Sequence, residues 1–116
     1  MNAPRIAFAI AATAVLGFGA APTEPTLNVG SKRFTESYIL GEILAQTAQS
    51  AGEATVVHRQ GLGNTAIVLG ALTQGSIDVY PEYTGTIAKE ILKLDAVPPF
   101  PELNAKLASL SLGVAA

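Results

Sequence analysis

Cysteine and tryptophan are absent from the 116-residue chain, histidine occurs once, and only 14% of its residues are charged. Without cysteine there is no disulfide, no thiolate metal site and no thiol nucleophile, while the compartment stays open because a disulfide-free chain suits any redox environment. The lone histidine, His58, has no neighbouring cysteine or acidic cluster, a pattern that favours a strand-edge or supporting residue over a metal ligand. Basic residues are scattered singly apart from Lys32-Arg33, and the formal net charge is −2, so the sequence offers no electrostatic footprint for nucleic acid. No serine stands in a nucleophile-elbow context or beside a partner base in sequence, and the segment from Asp78 to Glu82 contains Pro81 and does not hold two carboxylates at a catalytic spacing. These gaps speak against an enzyme, and the sequence points to no cofactor and no metal. Length bounds the fold at one domain.

What is present begins with a leader. Met1 to Arg5 is a positive n-region, Ile6 to Ala21 is apolar and ends in small residues, and Gly19 and Ala21 occupy the −3 and −1 positions of a cleavage site ahead of Pro22-Thr23-Glu24-Pro25. Residues 1–21 are therefore expected to be a signal peptide and 22–26 a linker. The competing reading, a membrane anchor, needs about 20 apolar residues, and this run is shorter.

From Leu27 onward strands and helices alternate. Leu27 to Gly30 is a short apolar run closed by glycine, and Thr55 to His58 is β-branched. Ile77 to Tyr80 is a third short strand, which Pro81 keeps from continuing as a central ladder member. Between the first two, Thr35 is the expected N-cap of a helix with Glu36 at its first position. Phe34 is expected to staple onto Ile39, an apolar face is formed by Ile39, Leu40, Ile43, Leu44 and Ala48, and Gly52 is the stop. A second helix, capped by Asn64 or Thr65, runs to about Gln74 with apolar residues on nearly every side, which predicts thorough burial. A third starts near Tyr83 to Thr86 and reaches Lys93, and a fourth spans Glu102 to Leu110 with Pro101 at its first position. Alternation of this kind predicts an α/β fold with a short, mainly parallel sheet flanked by helices. In such sheets ligands sit beyond the carboxyl ends of the strands, which singles out the loops after Gly30, His58 and Tyr80.

The first loop, Ser31-Lys32-Arg33-Phe34-Thr35, brings a hydroxyl, two cations and an aromatic to a helix N-terminus, where free N–H groups favour a carboxylate. A solvated turn is its bland alternative. The second, Gly61-Leu62-Gly63-Asn64-Thr65-Ala66, matches the dinucleotide fingerprint G-x-G-x-x-A, but Arg59-Gln60 separate it from its strand and another strand lies upstream, so a tight turn is preferred. The third, Tyr80 to Thr86, places two tyrosines around a rigid proline, and tyrosine faces attract quaternary ammonium groups through the ring quadrupole. Packing tyrosines and a threonine helix cap are its bland alternative.

The runs Gly30 to Gly41 (GSKRFTESYILG) and Asp78 to Thr86 (DVYPEYTGT), with Gly61-Leu62-Gly63 between them, resemble the substrate-binding components of quaternary amine ABC importers, those serving glycine betaine, carnitine, choline and related osmoprotectants. The likeness covers about Leu27 to Leu92. It implies a type II-like periplasmic binding protein fold in which ligand is trapped between two lobes, with 27–116 a partial first lobe and the second lobe absent. It further implies Tyr83 as a cage tyrosine facing the trimethylammonium group, Lys32 and Thr86 as the carboxylate grip, and Tyr80, Thr84 and Ser31 as lesser contacts. The expected partners are a quaternary amine and ABC permease subunits in the membrane, and the expected location is the periplasm. Two other readings remain at this stage: an inert fragment without ligand binding and, less favoured, a dinucleotide-dependent enzyme.

Overall fold

The computed structural model describes residues 24–116, so the expected leader lies outside the described residues. Two strands, β1 (Thr26–Gly30) and β2 (Thr55–Arg59), pair in parallel with Val29 opposite His58, and the helix α1 (Thr35–Ala51) connects them. The third run forms a single parallel bridge, Val29 to Val79. It is fastened by Gly30 N–H to the Val79 carbonyl and Asp78 N–H to the Asn28 carbonyl, both 2.8 Å. β1 therefore lies between β2 and the bridge, and Pro81, which has no N–H, follows within two residues. The loops after all three strand ends consequently emerge on one side.

The helix α1 departs from expectation at its start and along its buried face. Phe34, with extended backbone, occupies the N-cap position and offers no side-chain acceptor, and Thr35 is already the first helical residue. From inside the helix, the Ser37 hydroxyl reaches back to the preceding loop and accepts from Lys32 N–H at 2.8 Å. The face turned inward is not the isoleucine stripe but Ser37, Gly41 and Ala45, all buried at four-residue spacing. Small side chains let the helix backbone come close to the sheet, and Ile39 (54% exposed) and Ile43 face outward. Phe34 and Ile39 are both largely exposed, so the expected staple is not what orders the chain entry. Gly52 ends α1 at φ 72°, as glycine alone does without strain.

The helix α2 (Thr65–Gln74) opens on Asn64, whose Oδ1 accepts from Ile67 N–H, and closes on Gly75. Its burial is less than predicted: Val68 alone is fully enclosed and Ile67 stays exposed, because the described residues cover one face of the helix. A short turn, α3 (Thr84–Thr86), has Tyr83 rather than a threonine in its N-cap position and passes into a π-helical turn, Ile87–Ile91. After the Pro98-Pro99 break comes α4 (Phe100–Ala108), which starts earlier than predicted and carries Pro101 inside its first turn. Ile87 and Ala88 pack with Leu103 and Leu107 in a cluster covered by Ile91, Leu92, Leu94, Leu112 and Val114. Each large aliphatic side chain so enclosed contributes about 1.5–3 kcal/mol. This cluster anchors the turn that carries Thr84 and Thr86. Among the described residues no helix is long and apolar enough to cross a membrane.

Candidate functional site

Lys32 is the residue on which the three loops converge. Gly30 brings the chain there without a side chain, since a Cβ at that position would lie 2.5 Å from Ile77 Cδ1. The Lys32 ammonium donates to Glu82 Oε1 at 2.7 Å and to Thr65 Oγ1 at 3.1 Å, while the Phe34 ring centre lies 5.7 Å away. Lys32 and Glu82 are 9% and 5% exposed at their side chains, so the lysine is one half of a buried ion pair and not the surface charge of a solvated turn. Such a pair is held together by the cost of leaving either charge alone in low dielectric, about 3–5 kcal/mol.

Glu82 carries more than one bond. Its Oε1 also accepts from Tyr83 N–H at 3.1 Å, and its Oε2 accepts from the Tyr80 hydroxyl at 3.1 Å. Burial, and after it the Glu82 charge, push the Tyr80 phenol well above its ordinary value, so it remains a proton donor. The Tyr83 ring is different in kind: it is 42% exposed, and a hydrogen bond to Glu36 raises its phenol. Thus one carboxylate ties the first loop to the third and sets the backbone from which an open aromatic face projects.

A second set of contacts braces the first loop from behind. The Ser31 hydroxyl and His58 Nε2 lie 2.9 Å apart, and His58 Nδ1 is 2.8 Å from Glu42 Oε2. Ser31 therefore does have a partner base, which the local sequence did not disclose because His58 comes from the neighbouring strand. Ser31 is fully buried, however, its N–H donates to the Arg59 carbonyl and its own carbonyl accepts from Leu62 N–H, which leaves no approach for a substrate carbonyl. Gly41 makes the arrangement possible: a Cβ there would meet His58 Nε2 at 2.6 Å and Ser31 Cβ at 3.0 Å. The Gln46 hydrogen bond, followed by the one from His58, lowers the Glu42 carboxyl below its ordinary 4.5.

Two hollows border the Lys32–Glu82 pair. One, of about 430 Å³, is lined by Lys32, Arg33 and Phe34 with Gly63, Asn64 and Thr65 at the start of α2. The other, of about 470 Å³, is mainly apolar and meets Tyr80, Pro81 and Glu82 on one side and Ile87, Ile91 and Leu107 on another. Tyr83 lines neither. The glycines of the G-x-G-x-x-A match serve local packing, Gly61 facing the Tyr38 hydroxyl and Gly63 the Ile67 side chain.

Of the residues singled out from sequence, Lys32, Tyr80 and Tyr83 are joined through Glu82. Thr84, exposed, and Thr86, half-buried, follow Tyr83 on the adjoining turn. Ser31 is directed away from them, toward His58. Glu82, Thr65 and Glu42 were not anticipated. The signal for Glu82 was faint but real: a lone carboxylate between Tyr80-Pro81 and Tyr83 is a charge in aromatic surroundings, which needs a partner.

The family model describing the substrate-binding domain of the ABC-type glycine betaine transport system matches residues 25–108. Glycine betaine-binding protein YehZ of Escherichia coli strain K12 is 51% identical over 59 residues, 51% of this chain and 19% of that protein. A glycine-betaine-binding protein of Pseudomonas aeruginosa is 37% identical over 86 residues, 74% of this chain and 27% of that one. A solved structure of apo YehZ from Escherichia coli superposes with a TM-score of 0.55 and 35% identity over 76% of this chain and 30% of that one. The architecture is accordingly that of part of a type II periplasmic binding protein, and the chain spans less than a third of the length of these relatives. With the match extending from β1 through α4 and including all three site loops, the chain belongs to the family of substrate-binding domains of ABC-type glycine betaine transport systems.

Proposed function

We propose that this chain contributes one lobe's share of a solute-binding site in an extracytoplasmic, periplasmic component of an ABC importer for glycine betaine- or choline-type osmoprotectants, which it would hand to permease subunits in the membrane. The observation that carries the reading is the linkage of Lys32 to Tyr83 through Glu82, at 2.7 Å and 3.1 Å, which holds a cation and an open aromatic face on adjoining loops. Tyr83 offers its ring to the trimethylammonium group, and Lys32 with Thr86 offers donors to a carboxylate. Tyr80 and Thr84 support them, and Ser31 acts through the loop backbone. Magnitudes make the grip modest: micromolar capture requires about 8 kcal/mol, and one partly exposed cation–π contact supplies roughly 0.5–1 kcal/mol.

Isothermal titration with glycine betaine, choline, carnitine and proline betaine tests this. Binding of at least one of them is expected, and Tyr83→Ala is expected to weaken it about two- to fivefold while Tyr83→Phe does not. Heat of binding absent for all four, or indifferent to Tyr83→Ala, would refute the assignment and favour an inert fragment.

A further inference from the structure

We propose that Glu42 is a positioning residue for the ligand site, acting through His58 and Ser31 to hold the loop from which Lys32 reaches Thr65 and Glu82. The inference rests on the functional reading above and extends it to a position inside α1 that none of the three site loops contains.

The three groups stand in a fixed order of donors and acceptors. An ionised carboxylate has only lone pairs to offer, so the ring nitrogen facing Glu42 Oε2 at 2.8 Å, Nδ1, carries a proton. In the tautomer that follows, Nε2 is bare and accepts from the Ser31 hydroxyl 2.9 Å away. Burial makes this order matter. Ser31 is fully enclosed and the His58 side chain is 7% exposed, so a hydroxyl that lost its acceptor there would be cut off from water, whereas Glu42, at 46%, is the open end of the relay.

Ser31 passes the constraint on to the ligand site. Its carbonyl accepts from Leu62 N–H, and Arg33 N–H donates to the Gly63 carbonyl, so the first and second loops are laced together on either side of Lys32. An unpaired Ser31 hydroxyl would be relieved by a shift of Ser31, and that shift would enter Lys32 directly and Thr65 by way of the second loop. Carboxylate, imidazole and hydroxyl are ordered here as in a nucleophile-activating triad, but in a closed position where the order can only orient.

Imidazole nitrogen NMR of the full chain at neutral pH, together with titration by glycine betaine, tests the role. The parent should show His58 with its proton on Nδ1. Glu42→Ala, which places a strong helix former in α1, should move the ring toward the Nε2–H form and weaken betaine binding about two- to tenfold, the scale of one lost hydrogen bond. Glu42→Gln keeps an amide oxygen that accepts from Nδ1, and should preserve the tautomer and most of the affinity. Gln46→Ala removes the other hydrogen bond to Glu42 from an exposed position and should leave the tautomer unchanged. A proton on Nε2 in the parent, or parental affinity in Glu42→Ala, overturns the proposal and leaves the functional reading standing. Equal weakening in Glu42→Ala and Glu42→Gln overturns it as well, since the carboxylate charge and not the ring orientation would then be at work. Absence of betaine binding by the parent removes the functional reading, and the positioning role falls with it.

Discussion

Replacing Gly41 by alanine should destabilise a helix that alanine ordinarily strengthens. In an open helical position the exchange gains about 0.8–1.0 kcal/mol of propensity. At Gly41 the added methyl would stand 2.6 Å from His58 Nε2 and 3.0 Å from Ser31 Cβ, inside van der Waals contact with two side chains already bonded to each other. Overpacking of this kind costs about 1–3 kcal/mol, and displacing the His58 ring from Ser31 adds about 0.5–1.5 kcal/mol. The net loss is about 1–3 kcal/mol, and each kcal/mol lowers the melting temperature of a domain of this size by about 4–8 °C. Gly70, inside α2, provides the control, since a Cβ there meets nothing within 4 Å. Gly70→Ala should therefore raise the melting temperature by several degrees, as read by circular dichroism alongside Gly41→Ala. Should Gly41→Ala melt at or above the parent, the close approach of α1 to His58 and Ser31 is not the structure in solution.

Asn64→Ala should cost about 1 kcal/mol by removing the acceptor for Ile67 N–H, while Asn64→Ser or Asn64→Asp restores most of it in the same melts. Leu103→Ala, at a fully buried position of the cluster beneath the π-helical turn, should cost about 2–5 kcal/mol in chemical denaturation and broaden the resonances of Thr84 and Thr86. Glu42 has a folded-state pKa below its ordinary 4.5, so its contribution is present above that value and is lost as pH falls through the lower folded one. The stability gap between the parent and Glu42→Gln should accordingly close on acidification below about pH 4.5, and a gap that widens there contradicts the assigned contacts. Tyr80, whose phenol is raised by burial and by Glu82, should show no phenolate absorbance on alkaline titration until the chain unfolds.

The order of elements, the glycine stops at Gly52 and Gly75 and a helix cap at Asn64 or Thr65, which the structure resolves to Asn64, are local matters, and the sequence determined them because each depends on residues within a few positions of one another. The candidate loops were equally legible, as they follow from where strands end. Tertiary structure decided which face of α1 is buried. Periodicity pointed to Ile39 and Ile43, but the distance between helix and sheet selects size, and only Ser37, Gly41 and Ala45 fit. It also decided the states of the key residues. Lys32 and Glu82 are fifty positions apart, as are Asn28 and Asp78, and no local pattern reveals that a lysine at a helix entrance is neutralised by a carboxylate two loops away. The same holds for Ser31, His58 and Glu42, which meet only because a parallel strand and a glycine-lined helix bring three segments together. A sequence states which charges exist, whereas their partners are set by long-range packing, because Coulomb energy and desolvation depend on distance in space and not along the chain.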